Sequence, residues 1–522
     1  MTEGAGLKSP APAGKMSSWL VKLVLLGLID ALGILAVVKS FASEWWLGFG
    51  FLVLVLVAMN VTYFRRGGLP FKYLLPGLVF LLAFQLIPAF ATFGASFTNY
   101  GTGHLLNQEQ SRTQIISQNA RPVPDSPSIP ITPVEKDGTV AMLITDPETG
   151  EAQLGSAEGI EPAPNAVFDN GKAVSLEGYT SLNLGALVGD PALDAQWQTL
   201  TVPYDLEQGI FLQAQGLANA NLLRSGLTWN QTNDTLTNTE TGEVFTANSD
   251  VGAYTSEAGQ QLSPGWPVFV GLENYTQIVT DPQVRQNFLP ILIWSFVFAI
   301  VTVLMQFGFG LVMAIVMTDR RMRGQRYYRV LLILPYALPI FLTALVWKGM
   351  LNADFGIINQ ILGVRVNWLG DPTLAKLCLL VVNMWIGYSY MFLVISGALT
   401  SIPEDLKEAS FVDGASAFRT FRSIVLPLLL VSVSPLLIAS FSFNFNNFTL
   451  VQLLTGGGPF TGSPINGGQT DLLITYTFRL AFGTNQQLLG FASAIAMLIF
   501  LIVAGVSAYG FSLTKKLEEM KA

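Results

Sequence analysis

Cysteine, histidine and charge are all scarce in this chain of 522 residues. Its one cysteine, Cys378, lies inside an apolar run, so no disulfide framework can exist. Its one histidine, His104, excludes histidine-rich metal sites and leaves little from which to build a Ser-His-Asp triad. Charged residues make up 12% of the chain, about half of what a soluble domain carries, while hydrophobic residues reach 51% and mean hydropathy is +0.48. No catalytic residue, metal site or cofactor is expected.

The chain has instead long apolar runs. About 20 apolar residues cross a bilayer as a helix, and eight runs qualify, near 19–38, 45–64, 74–97, 288–317, 330–350, 374–400, 428–451 and 487–512. The fold class expected is an all-α polytopic membrane protein with an inserted β-rich domain. Residues 1–18, small and polar with Pro10 and Pro12, read as a flexible cytoplasmic tail, and 513–522 as a second one. The first run is longer than a signal-peptide core and a second follows closely, so no cleavage is expected. Residues 19–97 hold three spans and 287–512 hold five.

Basic residues mark the cytoplasmic side of membrane helices. Lys8, Lys15 and Lys22 place the N-terminus inside; Arg65, Arg66 and Lys72 do the same for the second connector. Arg320, Arg321, Arg323, Arg326 and Arg329 crowd the connector after span four, Lys407, Arg419 and Arg422 lie before span seven, and Lys515, Lys516 and Lys521 close the chain. Between 98 and 286 the balance reverses: six Lys/Arg face twenty-two Asp/Glu, a net of −16, whereas the whole chain carries −7 and the remainder therefore +9. This segment is expected on the exported side, with both termini cytoplasmic; for a chain in a bacterial inner membrane that side is the periplasm. Strand-like runs at Thr139–Ile144, Gln198–Val202 and Gly242–Phe245, with turn signals such as Asp169-Asn170-Gly171, predict a small β-rich domain. Residues 105–135 read as an extended or poorly ordered lead-in.

Polar residues inside apolar spans are costly unless they find partners or line a wet cavity. Ser440, Phe443, Asn444 and Asn447 share one helical face in span seven; Asn383, Gly387 and Tyr390 share one in span six. Tyr336 lies between Pro335 and Pro339 in span five, where a helix is irregular. Such residues serve either as interhelical bonds, worth roughly 0.6 kcal/mol each, or as a binding site. Amides match sugar hydroxyls, aromatic rings pack on the C–H face of a pyranose, and these faces hold no Lys, Arg, Asp or Glu. A neutral, hydroxyl-rich solute fits.

Between spans six and seven, within 402–427, lies a short polar helix, Glu408-Ala409-Ser410-Phe411-Val412-Asp413-Gly414-Ala415, followed by Ile424-Val425-Leu426-Pro427. A solvated loop helix is one reading. Small residues that permit close approach, and acids on a loop otherwise marked by positive charge, point to a docking partner. By contrast Gly457-Gly458-Pro459-Phe460-Thr461-Gly462-Ser463 has phosphate-loop glycines without the lysine that contacts phosphate. It reads as a turn-rich external loop, and any ATPase must be another subunit.

The helix before span seven resembles the EAA loop of permeases in the ATP-binding-cassette importer class, with Ser410 in place of the second alanine. Together with Tyr73–Gly77, Phe97-Thr98-Asn99-Tyr100, Tyr328–Pro339, Asn383–Tyr390, Ile438–Leu454 and Thr470–Phe482, it makes nearly the whole chain resemble the larger permease subunit of maltose/maltodextrin importers. In the inserted domain the likeness is confined mainly to position and to Leu262-Ser263-Pro264-Gly265. The resemblance implies a second permease subunit (MalG type), two copies of an ATP-binding subunit (MalK type) seated on the EAA loops, and a periplasmic binding protein that delivers maltose. Membrane lipid surrounds the complex and nucleic acid has no part in it. It also implies that Glu408, Ala409, Asp413, Gly414 and Ala415 couple to the ATPase, and that Tyr336, Asn383, Gly387, Tyr390, Ser440, Phe443, Asn444 and Asn447 bind sugar. A permease for another neutral oligosaccharide is a close alternative. A membrane sensor would need a cytoplasmic output domain, and no inside segment exceeds about thirty residues. An ion-coupled carrier would normally place Asp, Glu or His within its spans, and spans five to eight have none near their centres.

Overall fold

The apolar runs fold as helices whose interruptions fall at prolines and asparagines. The computed structural model describes residues 14–519 except 44, 66, 125, 127, 148, 319–321, 463–465 and 484–486. Lys8, Arg66, Arg320, Arg321, Lys521, Ser463 and most of the N-terminal tail therefore lie outside the described residues. Six described helices are long and apolar enough to span a bilayer, or seven if one bent pair counts as a single span. The expected run at 45–64 folds as a shorter apolar helix.

The chain divides into two compact units, residues 1–91 and 92–522. In the first, α1 (Gly14–Ala42) and α2 (Trp46–Phe64) form a hairpin. Asp30 within α1 accepts a hydrogen bond from Asn60 Nδ2 at 2.8 Å, and Lys22 Nζ donates to the Tyr63 carbonyl at 2.5 Å. An acid at mid-helix is thus matched by an amide.

The helix α3 (Leu69–Ala95) contains a π turn at Leu82–Leu86, ending two residues before Pro88. The same device recurs later at Phe421–Val425, ending two residues before Pro427. Proline has no N–H to give and its ring crowds the carbonyl four residues back. Widening the preceding turn, so that Leu426 donates to the Phe421 carbonyl, keeps the helix running. Pro427 thus lies inside a continuous helix, Ala417–Phe445.

In the second unit, the inserted domain is built of strands between Ala120 and Ser256, in sheets of nine, four and two. The expected strands appear at Thr139–Thr145 and Val244–Asn248, while Gln198–Val202 is the end of a helix, Pro191–Thr199, running into a strand, Thr201–Asp205. Asn170 and Gly171 take positive φ of 49° and 78° in the hairpin joining Ala166–Asp169 to Lys172–Leu176, as a two-residue turn requires. The lead-in at 105–135, expected to be extended or poorly ordered, includes regular structure among its described residues. A helix, Gln108–Gln118, starts there with an Asn107–Gln110 capping box and buries Ile115 and Ile116 against Phe211 and Tyr254. The chain leaves the domain along Trp266 and Val268, which bond back to Gly252 and Asn99.

The membrane core comprises α4 (Pro282–Thr318), α5 (Gln325–Ala337), α6 (Ile340–Met350), α7 (Pro372–Thr400), α8 (Glu404–Val412), α9 (Ala417–Phe445), α10 (Phe448–Leu454), α11 (Leu473–Phe482) and α12 (Leu489–Glu519). Helices α4 and α7 lie against each other, and Gly310 permits it, since a Cβ there would come within 2.8 Å of Met391. At Leu338-Pro339 the chain bends by 93° between α5 and α6. The expected span at 428–451 is broken at Asn446-Asn447.

Candidate functional site

Two breaks open one cavity. The α5–α6 bend turns Tyr336 and Leu338 toward α7, and the interruption after α9 leaves Asn447 to cap α10 by accepting from the Leu450 amide at 3.3 Å. Between them lies a cavity of about 440 Å³ lined by all eight residues singled out for substrate, namely Tyr336, Asn383, Gly387, Tyr390, Ser440, Phe443, Asn444 and Asn447. Gln306 of α4 and the apolar Pro335, Ile340, Ile386 and Leu450 complete much of the wall. Among the described residues, none that lines it is charged.

The lining separates into a fixed floor and an available wall. In the floor, Asn383 Nδ2 donates to Asn444 Oδ1 at 2.8 Å, Asn447 Nδ2 donates to Asn383 Oδ1 at 3.3 Å, and Asn444 Nδ2 donates to the Ser440 carbonyl at 2.8 Å. Gln306 Nε2 donates to the Asn383 carbonyl at 2.9 Å. All four side chains are buried. The amides thus tie α4, α7, α9 and α10 together. Asn383, Asn444 and Asn447 therefore bond to one another as well as lining the cavity.

Gly387 also lines the cavity and lies beside the Gln306 amide. The space in front of its Cα holds the Gln306 side chain, whose Oε1 would sit 2.8 Å from an added Cβ with Nε2 and Cδ closer still. Gly387 makes room for an amide of the protein. Gln306 and Thr302 were missed in the sequence, although two polar residues four apart on one face of an otherwise apolar span are a signal of the same kind.

The wall is aromatic and hydroxylic. Tyr336 and Tyr390 stack with centroids 6.1 Å apart and planes 26° apart, and Phe443 is 61% exposed although it sits on a bundle helix. The hydroxyls of Tyr336, Tyr390 and Ser440 make no hydrogen bond with any described residue.

The EAA-like stretch is α8 and the turn after it. Gly414 has φ +80°, a conformation that disfavours side chains, and its amide bonds to the Phe411 carbonyl. Ser410 is buried, bonded to the Lys407 carbonyl and to the Thr420 hydroxyl, both at 2.8 Å. The departure from alanine thus supplies an internal brace between α8 and the start of α9. Glu408, Ala409, Asp413 and Gly414 are exposed and Ala415 is half-buried, beside Phe411, Val412 and Phe418 at 54, 87 and 71% exposure.

The glycine-rich loop folds around a carboxylate. Asp471, fully buried, accepts from Arg479 Nη1 and Nη2 at 2.5 and 3.0 Å and from the Gly468 amide at 2.6 Å. A phosphate would meet that negative charge.

A bent-helix bundle with an uncharged cavity and a braced, exposed α8 turn defines a membrane permease. Residues 306–513 match the model of the binding-protein-dependent transport system inner membrane component, and 79–158 match the N-terminal part of the transmembrane subunit in such ABC transporters. The maltose/maltodextrin transport system permease protein MalF of Vibrio vulnificus is 35% identical over 510 residues, covering 95% of each chain. That of Escherichia coli K12 is 35% identical over 509 residues, covering 95% of this chain and 96% of its own. A solved alginate-importing bacterial ABC transporter is similar over 47% of this chain and 84% of its own, at 17% identity and a TM-score of 0.41. The chain belongs to the binding-protein-dependent transport permeases. Within them it is a member of the MalF family of maltose/maltodextrin permeases.

Proposed function

We propose that this chain is the larger channel-forming subunit of an ATP-driven importer of maltose and maltodextrins across the bacterial inner membrane. The observation that carries the reading is the uncharged cavity of about 440 Å³, with a tyrosine pair, an exposed phenylalanine and unengaged hydroxyls on its wall. Rings that present faces, beside donors and acceptors without charge, suit a pyranose. Tyr336, Tyr390 and Phe443 pack on the sugar, Ser440 and the tyrosine hydroxyls bond to it, and Asn383, Asn444 and Asn447 hold the floor while offering their remaining N–H and lone-pair positions.

Residues 98–286 face the periplasm, where the inserted domain meets a maltose-binding protein, and both termini are cytoplasmic. The charge split of −16 against +9 supports this orientation. The second permease subunit completes the channel, and two ATP-binding subunits hydrolyse ATP. Glu408, Ala409, Asp413, Gly414 and Ala415 form this chain's part of the ATPase contact, with exposed Phe411, Val412 and Phe418 as its apolar component.

The test is co-purification of the tagged chain from its native host, followed by uptake in proteoliposomes containing the recovered complex and binding protein. Maltose uptake should require internal ATP and persist when ion gradients are collapsed. Uptake that follows a proton or sodium gradient without ATP defeats the reading.

A further inference from the structure

A second cavity, of about 320 Å³, lies where the inserted domain joins the membrane core. Its walls come from Thr98–Thr102, the helix Glu273–Thr280, the first turns of α4, the helix α11 and the start of α12. Backbone bonds hold these walls together: Gly490 N–H donates to the Tyr100 carbonyl and Thr102 N–H to the Gln487 carbonyl, both at 2.7 Å. Asn274 Nδ2 donates to the carbonyls of Ser96 and Thr98 at 2.9 Å each. The volume falls within the range of small-molecule sites, about 300–1,000 Å³.

Other polar groups in this cavity have no such structural task. The side chains of Gln277, Asn287 and Asn466, and the hydroxyl of Tyr476, make no hydrogen bond with any described residue. Tyr476 is only 3% exposed and lines the cavity. Tyr100, Tyr476 and Phe491 supply ring surface beside the amides. No lysine or arginine lines the cavity among the described residues, and its one carboxylate, Asp281, caps the Val284 amide at 3.3 Å. Amides, a hydroxyl and rings without cationic groups select a neutral polyhydroxylated ligand rather than an anion.

We propose that this cavity is a second carbohydrate subsite, separate from the Tyr336–Phe443 cavity, that holds a neutral oligosaccharide on Gln277, Asn287 and Tyr476. The inference rests on the reading of the chain as a sugar permease. The test uses the assembled complex in membranes, in a Cys378→Ala background with Leu488→Cys as reporter, since Leu488 lines the cavity and is 38% exposed. Maltotriose should slow maleimide labelling of the reporter by roughly tenfold at ten times its dissociation constant. Gln277→Leu with Asn287→Leu should abolish that protection. Tyr476→Phe, which removes one hydroxyl, should weaken it and serves if the double variant does not assemble. Phe443→Ala should leave the protection intact. The proposal is overturned if maltotriose gives no protection at concentrations that saturate transport. It is equally overturned if protection survives loss of the polar groups, or disappears in Phe443→Ala. Unimpaired transport by Phe443→Ala with protection still dependent on Asn287 would instead remove the first cavity's assignment and leave this one standing.

Discussion

Replacing Gly387 by alanine probes the floor of the main cavity with a single methyl group. The added Cβ would lie 2.8 Å from Gln306 Oε1 and closer to Nε2 and Cδ, so the Gln306 amide must move. That amide is buried and donates to the Asn383 carbonyl at 2.9 Å. Leaving a buried amide without its partner costs about 1–3 kcal/mol. If the cost falls on the assembled cavity, the maltose concentration needed for half-maximal transport should rise roughly five- to hundredfold. The assay is sugar-stimulated ATP hydrolysis by reconstituted complexes, with assembly checked by co-purification. Gln306→Ala should rescue Gly387→Ala, because it removes the group with which the methyl collides, so the two changes should be strongly non-additive. A defect that persists in the double variant would mean that the methyl blocks substrate itself. A silent Gly387→Ala would refute the packing argument altogether.

Asn383→Ala should lower the melting temperature of the detergent-solubilised complex, at a cost of about 1–3 kcal/mol, because Asn444 and Asn447 lose a buried partner; Tyr390→Phe should leave it unchanged. Gly414→Trp should remove ATPase coupling while the chain still inserts, since a bulky side chain at φ +80° distorts the turn; surviving uptake and stimulated ATP hydrolysis would defeat the docking assignment. Protease added outside spheroplasts should cut only within 98–286, and loss of the C-terminal tail would contradict the orientation. Burial holds the His104 imidazole below its ordinary 6.5. The unfolded chain therefore binds the proton more readily, and stability should fall as pH drops below 6.5. His104→Gln should flatten that slope in a thermal melt, and an unchanged slope would assign it to other groups.

Most spans were legible because a bilayer sets a length that apolar runs must meet, and the faces containing Asn383 and Asn444 were legible because helical spacing is fixed. Their convergence on one cavity depends on the bend at Leu338-Pro339 and the break at Asn446-Asn447. Proline announced the first. The second was hidden, because Asn447 reads as one more polar residue on the face of span seven until its side chain is seen capping α10. Spacing also could not tell which polar groups meet each other: Asn383, Asn444 and Asn447 bond mainly among themselves, while Tyr336, Tyr390 and Ser440 keep their hydroxyls unengaged. In the inserted domain, Gln108–Gln118 escaped notice because its apolar pair, Ile115-Ile116, is too short to show a period, and its start is set by a capping box with Asn107. Ser410, a departure from the motif in sequence, gains its meaning only from Thr420 ten residues on.

The central claim is that the charge-free cavity between α5, α7 and α9 holds the transported sugar. The most direct measurement is maltose-stimulated ATP hydrolysis, together with maltose uptake, by reconstituted complexes carrying Phe443→Ala. Phe443 offers an exposed ring whose cover by a pyranose is worth about 1–1.5 kcal/mol for half a buried phenylalanine. The apparent affinity for maltose should therefore fall roughly tenfold, while the complex assembles and hydrolyses ATP at its unstimulated rate. Wild-type sugar dependence in a normally assembled Phe443→Ala complex would contradict the claim and place the sugar elsewhere.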